Sequence, residues 1–317
     1  MAFLSSVENI LSIILLILLG YILKEKKWFD DNFGNQISKL IMNIALPASI
    51  FVSVLKYLTL EKLISLTGGL GYTFLSVIIG YIISWVTVKL IKIRPGRQGI
   101  FMNTVVNANT IFIGLPLNIA LFGENSLPYF LVYYITNTVS TWAFGVILIE
   151  NDNPSKNKKK KGFNWKKLLP PPLLGFLVAL IFLVLKVPVP KFINSTLGYL
   201  GGIVTPLSLI YIGIVLSNAG LKSINFDKDT VFALLGRFVL SPLVMIGLIF
   251  LGSRMFGTLP VLESKTFIVQ SAAPALAVMP ILANESEGDV KYATNVVTTS
   301  TILFQSNWLG YFVVHIY

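Results

Sequence analysis

Six amide side chains, Asn103, Asn107, Asn109, Asn137, Gln270 and Asn295, lie in stretches otherwise apolar enough to cross a bilayer, with Thr136, Ser271 and Thr294 beside them. Amides and hydroxyls can grip a charged ligand by hydrogen bonds, but they carry no charge and exchange no proton at neutral pH. They concentrate in two Gly- or Pro-bearing interruptions: Asn107-Ala-Asn-Thr-Ile-Phe-Ile-Gly114-Leu-Pro116, and Gln270-Ser271-Ala-Ala-Pro274-Ala-Leu-Ala-Val-Met-Pro280. No carboxylate accompanies them, because all 14 acidic residues fall in loops or within a turn or two of expected helix ends. That balance favours an anionic or zwitterionic ligand over a bound cation. Positive charges within the apolar stretches are scarce. Lys39 sits in a first turn, where its stem can snorkel to the interface. Arg237 lies about two turns in, where insertion costs about 2.5–3.5 kcal/mol, so it should face a ligand cavity or a carbonyl partner.

The elements that must position these groups are apolar runs at 3–23, 36–55, 63–88, 98–122, 127–149, 168–186, 194–217, 229–252, 263–283 and 291–316. Their lengths read as membrane-crossing helices. The fourth and ninth carry the interruptions. A broken helix presents free N–H groups at one end and free carbonyls at the other, each end worth roughly half a charge. Paired broken segments in corresponding places are the best sequence pointer to a transporter's site near the bilayer midplane. Pro47 with Ser49 in the second helix, and Pro206 with Ser208 in the seventh, predict further bends or partial unwinding.

Composition agrees. The 317 residues are 55% hydrophobic and 12% charged, where a soluble domain carries about 25% charged residues. Mean hydropathy is +0.77. There is no Cys and only one His, His315, which excludes thiolate and His-based metal sites, disulfides and His or Cys catalysis. No cofactor and no enzymatic activity are expected. The N-terminal run lacks a basic n-region and a small-residue cleavage site, so it reads as a first helix rather than a cleaved signal. The glycine clusters Gly68, Gly69, Gly71 and Gly198, Gly201, Gly202 follow no strand and read as close helix-packing positions. Trp142, Trp308, Tyr133 and Tyr311 read as packing or interfacial residues.

The net charge of +11 is explained by loops rather than by nucleic acid. Alternate loops hold seventeen basic residues on one side, including Lys158–Lys161, against six on the other. The positive-inside rule then places segment 151–167 in the cytoplasm as a solvated basic linker and both termini outside.

That linker separates two groups of five helices, 1–150 and 168–317. Five is odd, so two copies of one unit must lie in opposite orientations. Internal correspondence is visible: Tyr134-Ile-Thr-Asn137-Thr-Val-Ser-Thr141 against Tyr292-Ala-Thr-Asn295-Val-Val-Thr-Thr299, and Leu46-Pro-Ala-Ser49 against Thr205-Pro-Leu-Ser208. Nine residues separate Asn107 from Pro116, and nine separate Ser271 from Pro280. The expected fold is an all-α membrane protein of ten transmembrane helices in two inverted five-helix repeats.

At these residues the chain resembles the auxin efflux carrier (AEC) family, which includes bacterial malate-permease-like proteins and plant PIN-type auxin carriers. The likeness covers most of the chain. It is most specific at Asn109-Thr-Ile-Phe-Ile-Gly-Leu-Pro116, similar to the family's Asn-Thr/Gly-x-x-x-Gly-x-Pro signature. It continues at Ser38-Lys-Leu and Ala45-Leu-Pro-Ala-Ser-Ile-Phe51, and at Pro274 to Pro280 followed by an acidic loop. The resemblance implies crossing helices four and nine, as in bile-acid symporters and NhaA. It also implies a scaffold of helices one, two, six and seven, and an elevator-like bundle of helices three to five and eight to ten. Asn109, Pro116, Pro274 and Pro280 would sit at the crossover, with Asn109 holding a substrate carboxylate. Plant carriers read Pro-Gln-Gly-Ile-Val-Pro where this chain has Pro274-Ala-Leu-Ala-Val-Met-Pro280, which argues against auxin itself.

The expected function is secondary transport of a small organic anion, malate being the type case, in the cytoplasmic membrane. Nothing resembles an ATPase motif, so a coupling proton or a counter-anion would supply the energy. The partners expected are that anion and membrane lipid, without nucleic acid, and a homodimer is compatible. The alternatives are a sodium-coupled bile-acid-type symporter, a carrier of auxin- or amino-acid-like substrates, and a non-transporting membrane sensor. The substrate side chains expected are Asn107, Asn109, Asn137, Gln270, Ser271, Asn295 and Arg237.

Overall fold

The computed structural model describes residues 2–30, 32–152, 169–219, 224–256 and 258–306. Nearly all of the basic linker, including Lys158–Lys161, and residues 307–317 with Trp308, Tyr311 and His315 lie outside the described residues.

Among the described residues the chain is helical throughout, with one isolated antiparallel bridge and no strand. The helices are α1 (Ala2–Glu25), α2 (Phe33–Leu40), α3 (Leu46–Tyr57), α4 (Leu60–Ile91), α5 (Gln98–Val106), α6 (Leu115–Phe122), α7 (Leu127–Val139) and α8 (Val146–Glu150). They continue as α9 (Pro171–Leu185), α10 (Lys191–Gly202), α11 (Val204–Ala219), α12 (Lys228–Leu235), α13 (Ser241–Phe256), α14 (Val261–Ser271), α15 (Met279–Glu285) and α16 (Val290–Ser306). Among the described residues, five helical stretches, 33–57, 66–91, 124–150, 191–218 and 228–254, are long and apolar enough to cross a membrane, and two shorter apolar ones lie at 110–122 and 171–185. Large apolar side chains stand exposed along several of these, such as Leu15, Ile82, Trp85, Ile181 and Leu243. That is the surface an integral membrane protein offers to lipid.

Proline shapes the long helices in a way the sequence only half announces. Four turns are π-helical: Ile41–Ala45, Thr110–Gly114, Ser140–Gly145 and Gly236–Leu240. Three of them end two residues before a proline, at Pro47, Pro116 and Pro242. A proline cannot donate to the carbonyl four residues back, and its ring collides with that carbonyl. Widening the turn just before it removes the collision. Leu46 N–H accordingly bonds to Ile41 O, and Ser241 N–H to Gly236 O, each five residues back. The bend expected at Pro47 is therefore a π turn within a continuous helix. At Pro206 the helix does break, with α10 ending at Gly202 and α11 starting at Val204.

The chain divides into two compact units. Unit 1 comprises residues 1–68, 111–132 and 169–221. Its helices meet through glycines that let backbones touch. Gly20 of α1 faces the Ile210 backbone of α11, Gly213 of α11 faces Ile17 and Tyr21, Gly175 of α9 packs on Pro47, and Gly201 of α10 on Ser49. Unit 2 comprises residues 69–110, 133–168 and 222–317. It encloses a buried apolar cluster that includes Ile100, Phe101, Val105, Ile149, Met279, Tyr292 and Val296. The glycine expectation holds in part: Gly69 and Gly201 sit against neighbours, whereas Gly68, Gly71, Gly198 and Gly202 have open space where a side chain would go.

Candidate functional site

The extended start of the first interruption meets the second inside unit 2. After α5 the chain is extended at Asn107, and Ala108 pairs antiparallel with Ala275. Asn109 N–H donates to Pro274 O at 2.8 Å. The second interruption is the longer one, running from the end of α14 at Ser271 to the start of α15 at Met279. Irregular backbone at membrane depth survives only if its polar groups find partners within the protein. Here side chains of two further helices supply them. Asn137 of α7 clamps Ala108 from both sides, accepting from its N–H at 2.9 Å and donating to its carbonyl at 3.1 Å. Ser300 of α16 accepts from Ala275 N–H at 3.1 Å.

Beside the bridge, the amides of α5 are already bonded. Asn103 Nδ2 donates to the carbonyls of Gly99 and Gly145, both at 2.9 Å. Asn107 Nδ2 donates to Asn103 Oδ1 at 2.7 Å and to Tyr81 Oη at 3.0 Å, while its Oδ1 accepts from Ser140 Oγ at 2.6 Å. Gly145 has no room for a side chain, because Asn103 Oδ1 occupies the place. The network braces the break and is closed. The Asn109 side chain is buried at the bridge.

The other side of the break is not closed. Arg237, in the π turn before α13, is 0% exposed. Its Nη2 donates to Ser241 Oγ at 2.9 Å and to the carbonyl of Ser271, the last residue of α14. The Tyr133 hydroxyl lies against the guanidinium, yet Nε and Nη1 have no hydrogen-bond partner. No ion pair with an acid is formed by this arginine among the described residues. Ser271 Oγ turns back to Ile268 O at 2.7 Å, and Gln270 is fully buried one residue earlier. Of the expected substrate side chains, the structure brings Asn107, Asn109, Asn137, Gln270, Ser271 and Arg237 to the two interruptions.

Asn295 is placed elsewhere. Although it matches Asn137 in the repeated motif, it clamps the backbone of Asn225, accepting from its N–H and donating to its carbonyl, each at 2.8 Å. It also donates to Thr230 Oγ1 at 2.9 Å. Pro116 and Pro280 occupy the first turns of α6 and α15, where a missing N–H is tolerated. Gly114 closes the π turn before α6. In unit 1, Pro47 and Ser49 carry the contacts to Gly175 and Gly201. Pro206 lies in the first turn of α11, and Ser208 is buried with its hydroxyl unbonded.

Three features lay beyond the sequence reading. Arg94 and Arg97, counted there only as basic loop residues, hold three carboxylates. Arg94 Nε reaches Asp229 at 2.7 Å and Arg97 Nε reaches Asp289 at 2.7 Å, while both guanidiniums contact Asp227. Arg97 also lies over the Tyr292 ring at 4.6 Å. Burial pushes the Asp227 carboxyl up, but hydrogen bonds from Thr230 and Arg97 and the Arg94 charge outweigh it and hold the group at about 2. Next, Asp152 caps the start of α5 from a distance, accepting from Gly99 N–H at 2.8 Å and Ile100 N–H at 3.3 Å. Burial pushes its carboxyl above the usual range despite these donors. Only the proximity of opposite charges in sequence-distant turns would have signalled either.

The third is Glu263, near the start of α14. The expectation that acids at helix ends leave the interior free of carboxylate does not hold. Glu263 is 0% exposed, packed against Gly69 and Phe267. A position near a helix end in the sequence says nothing about depth once other elements cover that end.

An all-helical, lipid-facing body with two interruptions joined at a polar crossing defines an integral membrane protein of the transporter kind. The chain matches the family described as membrane transport protein over residues 5–311, and it belongs to that family, the auxin efflux carriers. It is similar to an uncharacterized transporter of Methanothermobacter thermautotrophicus, 25% identical over 313 residues, covering 96% of each chain. The uncharacterized transporter MJ1031 of Methanocaldococcus jannaschii is 24% identical over 95% of this chain and 97% of its own. YfdV of Escherichia coli K12, also an uncharacterized transporter, is 23% identical over 76% of this chain and 77% of its own.

Proposed function

We propose that the protein is a secondary transporter of small organic anions, with malate-like carboxylates as the substrate class. The observation that carries this reading is Arg237. A guanidinium removed from water must be paired or must await a partner. This one bonds two protein oxygens through Nη2 and has the Tyr133 hydroxyl against it, pairs with no acid among the described residues, and keeps Nε and Nη1 without hydrogen-bond partners at the interrupted end of α14. The free N–H groups lie on different edges of the guanidinium, and each can donate a charge-assisted hydrogen bond to a carboxylate oxygen. The amides of Asn109 and Gln270 are buried at the two interruptions.

The arrangement also supports the ten-helix, inverted-repeat reading. The motif helices α7 and α16 each send a polar side chain to one side of the same bridge, Asn137 to Ala108 and Ser300 to Ala275. Unit 1 contains the expected scaffold helices together with residues 111–132, and unit 2 contains residues 107–110 of the first interruption and the whole of the second. In this reading unit 2 carries the site in an elevator-like cycle, and the basic linker faces the cytoplasm. Purified protein should be stabilised against heat by malate or a related dicarboxylate, and Arg237→Lys should lose that stabilisation while remaining folded. Equal stabilisation of both proteins would remove Arg237 from the site.

A further inference from the structure

Unit 2 holds a second unsatisfied charge-bearing group that an anion site does not use. Glu263, Thr266 and Gln270 stand at i, i+3 and i+7 on α14, hence on one helix face, and all three are 0% exposed. Both carboxyl oxygens of Glu263 and the Thr266 hydroxyl lack hydrogen-bond partners. Gly69 of α4 packs so closely that any side chain there would displace Glu263 Oε1, and the Phe267 ring closes the same side. One turn along α4, the Tyr72 hydroxyl is also buried and unbonded, against Gly252 of α13.

An ionised carboxylate with neither oxygen bonded is too costly to keep in such surroundings, so the group is neutralised by a proton or by a cation. The titratable and charged groups on the elements around it are Glu61, Lys62, Tyr72, Tyr81 and Lys89 on α4, Tyr129, Tyr133 and Tyr134 on α7, Arg237 before α13, Arg254 on α13 and Lys265 on α14 itself. Among the described residues none makes an ion pair with Glu263. Arg254 instead lies over the Phe250 ring at 4.3 Å. A hard metal cation takes about six oxygens, and this face offers two carboxyl oxygens and one unbonded hydroxyl.

We infer that Glu263 is a proton-binding site built into unit 2, taking up and releasing a proton through the polar face of α14 that leads to the interruption. Joined to the anion-transport reading, on which this last step alone rests, it makes transport proton-coupled: the proton on Glu263 travels with the unit that carries Arg237.

The test is infrared difference spectroscopy of the purified full-length protein in lipid, with pH stepped from mildly acidic to alkaline in sodium-free buffer. The wild type should show a protonated-carboxyl band that fades as pH rises, that Glu263→Gln lacks, and that Glu263→Asp shifts. The aspartate variant keeps the test alive if the glutamine variant does not fold. A band set unchanged by either substitution overturns the assignment, as does loss of the band on adding sodium at fixed pH, which would mark a cation site. In proteoliposomes, an inward pH gradient should accelerate malate uptake by the wild type and leave Glu263→Gln unaffected. If the wild type moves no malate at all, the substrate class is wrong, and the infrared band still decides Glu263.

Discussion

The two faces of the crossing are both polar and both buried, yet they are built to opposite rules. On the α5 side, Asn103, Asn107, Tyr81, Ser140 and Asn137 bond to one another and to backbone, and the network is complete. On the α14 side, Arg237 and Glu263 each keep two polar atoms unbonded, and Thr266 keeps one. A satisfied buried network rigidifies and specifies a structure; an unsatisfied one is costly unless something else completes it. The richer cluster of amides is therefore the frame. In the proposed reading, the sparser, charged side is where a ligand and a proton act.

That contrast can be broken experimentally. The largest effect is expected at Arg237: Arg237→Lys keeps the charge but loses the planar fork, and malate uptake should fall by about 10- to 100-fold, in line with losing one charge-assisted hydrogen bond. A comparable loss of uptake in Asn107→Ala, without loss of stability, would move the site to the α5 side. Next comes Asn137→Ala, which orphans the N–H of Ala108 and leaves its carbonyl to the Thr110 N–H alone. It should lower stability by about 2–4 kcal/mol, read as a drop in thermal midpoint without ligand.

Asn295→Ala removes the partner of both the N–H and the carbonyl of Asn225, which is exposed, so water can replace the amide and the loss should be about 1–2 kcal/mol. An equal loss at Asn137 and Asn295 would show that the crossing is no more dependent on its clamp than an ordinary turn. The smallest effect is expected at Asp152→Ala, the cap of α5, at about 1 kcal/mol. Acid should act through Asp227. Its carboxyl is held at about 2 in the folded protein against an ordinary 3.8. Its stabilising contribution is therefore complete above about pH 4 and lost as pH falls through about 2. Asp227→Asn should flatten the acid limb of a stability–pH curve over that window; an unchanged limb would mean that other carboxylates govern it.

Much of this was legible from local pattern. The interruptions stood out because Asn, Gly and Pro are out of place in apolar helices, and the structure breaks the helices there. Asn137 was singled out by a repeated motif, and it does hold a break. The same motif misplaced Asn295, because a repeat fixes a residue's position on its helix but not what the other elements put opposite it. Arg94 and Arg97 were read from charge alone, and their partners Asp227, Asp229 and Asp289 lie more than a hundred residues away. The burial of Glu263 depends on how tightly Gly69 approaches α14, which no property of α14 itself encodes. Pro242 passed unnoticed, since the strain it imposes is taken up one turn earlier, around Arg237.

That last point reaches further than helix geometry. A π turn accommodates one residue more than an α turn, so returning it to α register would swing the flanking side chains about 100° around the helix axis. At Gly236–Leu240 such a return is blocked, because Pro242 has no N–H with which to close the α ladder. The aim of Arg237 is thus set by an atom the backbone lacks. In the proposed cycle the guanidinium would not act as a lever that turns. It works as a fixed compass needle, and Pro242→Ala would set it free.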